Sequence, residues 1–508
     1  MNTSLSKRGY TVLKEDLTSS EILKIRQELT VKPFVNTSYG GVAVPFPVYC
    51  ESKRKLYMPR YFGQKKYGIP TTNRIEQGEK VTMEFPLSLK DKQKPIAEAY
   101  LKAAEEVGGG IISVPCGYGK TVIGLYLAAK LGVKTLVVVH KEFLVNQWKE
   151  RIKQFLPHAR IGKIQGNKIF VEGYDIVIGM LQSISMKEYP EELFNSFGFV
   201  IYDECHHLGA ETFSKALLKT GCTYTLGLSA TPTRADGLTK VFQWHLGEIV
   251  YKINKREEEN VKVKLIKYLV KHNGQEVDEP VEGYNKILLN YNKKPNMAAM
   301  INNICSFLPR TKKIVEETVK CLDEGRKILI LSDRREHLKT LKSLLDETSY
   351  SSGFYLGGMK EKDLEETEGK NVILGTFMMA SEGFDCRYPL DTIILASPKS
   401  NIEQAVGRIL RQEAKDQVFV PLVIDIMDDF STFGGQCFKR VKFYNKNNYN
   451  LELYDVDDVL LPNVYKKKPD GRKKKTKTCG GGGGVIGCGG GGGVAAPAPD
   501  SDFLPDSD

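Results

Sequence analysis

Val114-Pro-Cys-Gly-Tyr-Gly-Lys-Thr121 follows the short apolar run Ile111-Ile112 and opens a stretch of helical spacing that reaches Leu131. In this strand–loop–helix, Gly117 and Gly119 let successive backbone N–H groups wrap a phosphate, and the helix start adds positive potential. Pro115, Cys116 and Tyr118 complete the loop. Lys120 can reach β- and γ-phosphates, and the Thr121 hydroxyl can ligate Mg2+. Val114 stands where the usual motif has its first glycine, so alone the segment also reads as an ordinary strand, turn and helix. The partner lies 83 residues beyond Lys120, where Phe199-Val-Ile-Tyr-Asp-Glu-Cys-His206 ends a strand in adjacent carboxylates. Nucleotide hydrolysis needs one acid for the metal and another to orient and deprotonate water. Asp203 fits the first role and Glu204 the second. A helix N-cap is the bland reading of this pair, but with a phosphate loop upstream the expectation is a site for ATP and Mg2+.

Outward from that pair, short β-branched runs alternate with helical stretches. Thr135-Leu-Val-Val-Val139, Asp175-Ile-Val-Ile178 and Thr225-Leu-Gly-Leu228 continue the first series. A second begins near Val261 and runs through Lys327-Ile-Leu-Ile-Leu331, Asn371-Val-Ile-Leu374 and Thr392-Ile-Ile-Leu395. The alternation predicts an α/β fold with two tandem lobes, each a parallel sheet flanked by helices. The expected units are an N-terminal aromatic and basic module (1–85), lobe one (86–253), lobe two (254–462) and a basic, glycine-rich disordered tail (463–508). In the module, a helix opens at Ser19-Ser20-Glu21. Tyr39, Phe46, Tyr49, Tyr57, Tyr61 and Phe62 then interleave with lysines and arginines. That pattern suits either a strand-binding surface or a hairpin core with a solvated charged face.

The second series has no phosphate loop. It carries Gln404-Ala-Val-Gly-Arg408-Ile-Leu-Arg411 on an expected helix, where Arg408 and Arg411 share a face and can point across a cleft at a transferring phosphoryl group. A solvated basic face is the alternative. Because Lys120 and Glu204 belong to one lobe and the arginines to the other, catalysis would require closure.

Composition narrows the setting. The 508 residues, 41% hydrophobic and 27% charged, exclude collagenous, mucin-like and wholly disordered chains. No run approaches the ~18 apolar residues of a membrane span, and the first residues lack a signal-peptide core. The net charge of +11 is compatible with a polyanion. Ten scattered cysteines without a CxxC pair, and seven histidines without HExxH, give no structural-metal signal and fit a reducing compartment. Eight cations between Lys466 and Lys477 precede eleven glycines between Gly480 and Gly493. The basic block admits three readings: import signal, nucleic-acid tether or solubilising run.

VPCGYGKT (114–121), YDECHH (202–207), LSATPTRADG (228–237) and QAVGRILR (404–411) resemble, in order and spacing, motifs I, II, III and VI of superfamily 2 helicases. VVVHKEFLVNQW (137–148), GMLQSI (179–184) and GTFMMASEGFD (375–385) are similar to motif Ia, the next strand-contacting motif and motif V. The resemblance covers roughly residues 86–450. The HKxxLxxQW and DECHH forms are similar to XPB-like and phage recombination-repair helicases, which act on DNA. FPVYCESKRKLYMPRYFG (46–63) resembles the transcript-release helicases of large cytoplasmic DNA viruses.

The resemblance implies that Gln93 reads the adenine edge and that Gly383 and Asp385 complete the ATP site. It implies that Ser229 and Thr231, with Gln404, couple hydrolysis to strand movement, and that Lys141, Gln182, Arg334 and Thr376 touch nucleic acid. The expected protein is a monomeric ATP-dependent DNA helicase or translocase, working with transcription machinery in the host cytoplasm, with the nucleus a second location if the basic block is an import signal. An RNA helicase is the alternative within the class, a non-catalytic nucleic-acid scaffold the alternative outside it.

Overall fold

The structure is a computed structural model that describes residues 2–465, apart from 35–42, 116, 207–210, 231–235, 254–259, 273–274, 277–278, 382–385, 411, 413–415 and 463–464. Cys116, Thr231, Gly383, Asp385, Arg411 and the expected tail beyond 465 lie outside the described residues.

The apolar runs become parallel strands. The first large sheet has eight strands in the order Lys168–Phe170, Ile161–Gln165, Ile176–Met180, Thr135–Val139, Phe199–Asp203, Tyr224–Ser229, Gly109–Ser113, Ile249–Lys252. Neighbours pair in parallel except at the Lys168–Phe170 edge. Every residue of Gly109–Ser113 and Thr135–Val139 is buried, as helices on both faces of a parallel sheet require. Ile123, Leu127 and Ala128 of helix Lys120–Leu131 join one core cluster with Leu144, Trp148 and Ile152 of helix Glu142–Phe155. The second large sheet runs Ser352–Tyr355, Val372–Gly375, Ile328–Leu331, Thr392–Leu395, Leu422–Met427, Lys262–Lys267, Asn450–Tyr454, Leu460–Leu461, antiparallel only at its last pair.

At the N-terminus a five-stranded sheet packs with helices Ser19–Glu28 and Arg60–Tyr67. The first helix opens on a capping box, in which Thr18 Oγ1 accepts from Glu21 N while Glu21 Oε2 accepts from Thr18 N. Arg60 donates to the carbonyl oxygens of Val107, Cys222 and Thr223, and Tyr61 bonds Thr225 Oγ1 at 2.7 Å. Leu238, Val241 and Trp244 of the first lobe join the apolar cluster around Tyr10 and Phe62. Phe46, Tyr57, Tyr61 and Phe62 are all buried, so these aromatics serve packing.

The helix expected over 404–411 is shorter. Helix Glu403–Val406 ends at Gly407, and Arg408 N and Ile409 N make i→i−3 bonds to Ala405 and Val406. Glycine is a poor helix former and the i→i−3 turn tightens the chain there, so Arg408 lies just past the helix.

The second core holds one titratable group with a consequence for stability. His337 is buried, with Nδ1 3.0 Å from Ser332 Oγ and Nε2 3.3 Å from Thr311 Oγ1. Burial and the Arg310 charge push its imidazolium pKa down to about 3. Stability from the neutral ring is fully present above the ordinary histidine pKa and is lost as pH falls from ~6.5, by ~1.4 kcal/mol per pH unit. Urea unfolding at stepped pH should show this acid limb, and His337→Leu should flatten it.

Candidate nucleotide site

Strand order concentrates the chemistry. Gly109–Ser113 feeds the phosphate loop, Tyr224–Ser229 pairs beside it, and Phe199–Asp203 lies next, all parallel. Their C-terminal ends therefore open on one crevice, where ligands of such sheets bind. Val114 N bonds Ser229 O at 3.2 Å, tying the loop's start to the end of the neighbouring strand.

Gly117 at φ +89° and Gly119 at φ +76° adopt the left-handed conformations that turn the loop. A Cβ on Gly119 would stand 2.4 Å from Gln93 Nε2, so a side chain there would displace the Gln93 amide as well as strain the backbone. Gln93, itself buried, donates from Nε2 to Tyr118 O at 3.0 Å and accepts at Oε1 from Lys90 N at 3.0 Å. It thus braces the loop. Lys120, the first residue of its helix, places Nζ 3.4 Å from Val114 O.

Asp203 Oδ2 accepts from Trp148 Nε1 at 2.9 Å, and Oδ1 from Glu204 N at 3.0 Å. Burial, then the Glu204 charge, holds its carboxyl above the ordinary range; the Trp148 bond, Lys120 and His140 pull the other way. A half-buried acidic pair that repels itself is a donor set a divalent cation would relieve, and the hydroxyl of Thr121 on the adjoining helix adds a hard oxygen. The residues present therefore fit Mg2+.

Glu204 sits at φ +48°, a left-handed conformation that costs a non-glycine residue on the order of 1 kcal/mol and recurs at functional sites. Its Oε2 makes no hydrogen bond among the described residues and lies 3.4 Å from His206 Nδ1, which in turn stands 3.0 Å from Ser229 Oγ. Ser229, His206 and Glu204 thus line up from the end of strand Tyr224–Ser229 to the acid pair.

Other expected residues lie elsewhere. Gln182 donates to His140 O at 2.6 Å, and its Oε1 is buried, so its amide faces the protein. Arg334 spends its guanidinium on Asn302 Oδ1, Asp333 O and Ala298 O. Thr376 Oγ1 accepts from Met379 N at 3.4 Å at the start of helix Phe377–Ser381. Lys141 precedes helix Glu142–Phe155, half-buried. Gln404 and the buried Arg408 belong to the second lobe. Trp148 closes the segment similar to motif Ia, where the resemblance assigns it no individual role; its ring packs with Leu144, Val145 and Ile152 of the same core. His140, whose charge bears on Asp203, belongs to the same segment and likewise has no role assigned by the resemblance.

The chain is similar to several known proteins. Residues 86–234 match the ResIII family, described as type III restriction enzyme, res subunit. "Putative ATP-dependent RNA helicase L396" of Acanthamoeba polyphaga mimivirus is 34% identical over 469 residues, 91% of this chain and 88% of L396. QP509L of African swine fever virus (isolate Pig/Kenya/KEN-50/1950), named likewise, is 27% identical over 419 residues, 76% of this chain and 79% of its own. The DNA 3'-5' translocase XPB2 of Sulfurisphaera tokodaii is 34% identical over 217 residues, 42% of this chain and 47% of its own. The chain belongs to the superfamily 2 helicases, among those of large DNA viruses. It is accordingly an ATP-dependent, nucleic-acid-binding enzyme of that family. No helix among the described residues is long and apolar enough to cross a membrane.

Proposed function

We propose that the chain is an ATP-driven translocase on DNA that displaces a bound strand or transcript, acting as a monomer within a viral transcription apparatus. The meeting of phosphate loop, Asp203–Glu204 and Ser229 at adjoining strand ends carries this reading. Loop residues 115–119 wrap the phosphates, Lys120 pairs the transferring group, and Gln93 braces the loop against the adenine edge. Thr121 and Asp203 would hold Mg2+, which supplies neutralisation of phosphate charge. Glu204 takes the proton of the attacking water at its unbonded Oε2. Arg408 and Arg411 would act as the arginine finger on closure, and Gly383 and Asp385 would complete the ATP site; an arginine finger is worth ~10³–10⁵ in rate where measured.

Ser229 and Thr231, with Gln404, carry the change to the strand-gripping segments. There Lys141 and Thr376 meet the strand, while Gln182 and Arg334, engaged within the protein, hold those segments in place. The working units are 1–85, 86–253, 254–462 and 463–508. DNA is favoured by the XPB-like motif forms and by the XPB2 match. The names of L396 and QP509L favour RNA as the second reading.

Comparing ATPase stimulation and strand displacement on single-stranded DNA, duplex DNA and RNA tests this, with Lys120→Ala as control. Stimulation by DNA and a silent Lys120→Ala are expected. Stimulation by RNA alone would transfer the enzyme to the second reading, and turnover by Lys120→Ala would overturn the site.

Trp148→Phe keeps the packed ring but removes the hydrogen bond to Asp203. Hydrogen bonds to charged groups are worth ~1.5–3 kcal/mol, so ATPase should fall ~10-fold or more and need more Mg2+ for half-maximal rate. Titration of rate against Mg2+ reads this directly, and an unmoved midpoint would reduce Trp148 to packing.

A further inference from the structure

At the edge of the first large sheet, strands Ile161–Gln165 and Lys168–Phe170 form a hairpin that pairs Lys163 with Phe170 and Gln165 with Lys168. Directly opposed residues share a face, and alternate residues return to it. One face therefore carries Lys163, Gln165, Lys168 and Phe170, while Ile164 is buried on the other. Lys168–Phe170 is exposed throughout, with Phe170 at 51%, so its ring is open to a partner.

The turn of this hairpin is fixed against both segments expected to meet a strand. Gln165 Nε2 donates to Glu142 Oε1 at 3.1 Å beside Lys141, and Gly166 N donates to Ser183 Oγ at 2.9 Å beside Gln182. Tyr189 Oη donates to Gly166 O at 2.9 Å, and Lys187 Nζ to Asn167 Oδ1 at 2.5 Å. The basic face thus begins where the strand-contacting segments end and continues down the flank of the lobe.

We propose that the hairpin face of Lys163, Lys168 and Phe170, with Lys149 of helix Glu142–Phe155 beside it, is a further nucleic-acid contact that takes a single strand beyond the motif surface. The inference rests on the helicase reading above. Lysines supply phosphate contacts without sequence preference, and an exposed aromatic offers a stacking platform for an unpaired base. Lys149 and Lys168 both bear on Lys163: burial, then Lys149, with Lys168 adding to it, lowers its ammonium pKa, against a counter-pull from Glu142. These cations are near enough to repel, and a polyanion laid across them would relieve that repulsion. Glu142 is held by Gln165 at the near end of the face.

The test uses the full chain and equilibrium binding of labelled oligodeoxythymidine, oligouridine and blunt DNA duplex over a salt series. Lys163→Ala with Lys168→Ala should shallow the salt slope for single strands by ~1.4, the equivalent of two phosphate contacts. Phe170→Ala should weaken single strands by ~5-fold or more, as loss of one stacked base does, and the duplex by less. Lys168→Glu, at an exposed site, should weaken binding more than Lys168→Ala, with thermal unfolding midpoints as the folding control. If the wild type binds and these variants match its affinity and slope, the hairpin contact is wrong and the helicase reading stands. A wild type that binds none of the probes overturns the helicase reading itself.

Discussion

Glu204→Gln should cut ATP hydrolysis by ~10²–10⁴-fold, the range general-base catalysis supplies, while nucleotide still binds. Glutamine matches glutamate in shape and can occupy the same φ +48° backbone, so the loop after strand Phe199–Asp203 need not move. What is lost is a carboxylate whose buried Oε2 makes no hydrogen bond among the described residues. Asp203 should gain: the Glu204 charge is a cause of its raised pKa, so removing it favours the ionised form and leaves the metal position at least as strong. The variant should therefore bind a fluorescent ATP analogue with wild-type affinity and, unable to turn over, hold nucleic acid more tightly in ATP than without it. Stopped-flow nucleotide binding and steady-state phosphate release separate the two steps. Equal turnover by wild type and Glu204→Gln would mean that hydrolysis does not run through this acid, and would favour a nucleic-acid scaffold.

How much of this was legible in sequence depended on how local the cause is. Thr135–Val139 and Ile328–Leu331 read as strands because parallel strands covered on both faces are apolar throughout. Gly117 and Gly119 read as a phosphate loop because the positive φ they supply is a property of the residue itself. What is not legible is what distant partners set. Arg334 looks like a free cation until Asn302 and Ala298, more than thirty residues earlier, take its guanidinium. Gln182 looks like a strand contact until the His140 carbonyl, on a neighbouring strand end, draws its amide inward. Trp148 hides as core because its indole ring is core, and only its N–H reaches Asp203. The helix expected to carry 404–411 ends at Gly407, which the arginine spacing does not show. The strained backbone of Glu204 has no sequence signal, since glutamate seldom adopts it.

The largest stability effect should come from the second lobe, where Arg310→Met is expected to cost ~3–5 kcal/mol, the usual penalty for stripping one partner from a buried ion pair. Arg310 and Asp428 are almost fully buried and joined by two hydrogen bonds of 2.8 Å, with Tyr284 Oη on Asp428 at 2.9 Å. Methionine fills the stem of Arg310 but leaves Asp428 with only the tyrosine. A second pair repeats the design: Arg440 makes two bonds of 2.8 Å to Asp425, which also accepts from Tyr444. Both guanidinium groups keep one further N–H for a backbone carbonyl, Arg310 for Ala396 O at 2.7 Å and Arg440 for Lys399 O at 2.8 Å. Those carbonyls belong to the segment that leads from strand Thr392–Leu395 to helix Glu403–Val406 and Arg408. The pairs therefore fix the approach to the proposed finger as well as the fold. Both tryptophans, Trp148 and Trp244, lie outside this lobe. Urea unfolding followed by far-UV circular dichroism should thus show the Arg310→Met loss, and fluorescence less of it if the lobes unfold separately. Because apolar pairs often replace buried ion pairs without penalty, Arg310→Met with Asp428→Leu should recover much of the stability. It should not recover ATPase, since the bond to Ala396 O stays missing and Arg408 loses its mooring. A double variant restored in both would separate the buried pair from the active site, and a single variant costing under ~1 kcal/mol would show that water reaches Asp428.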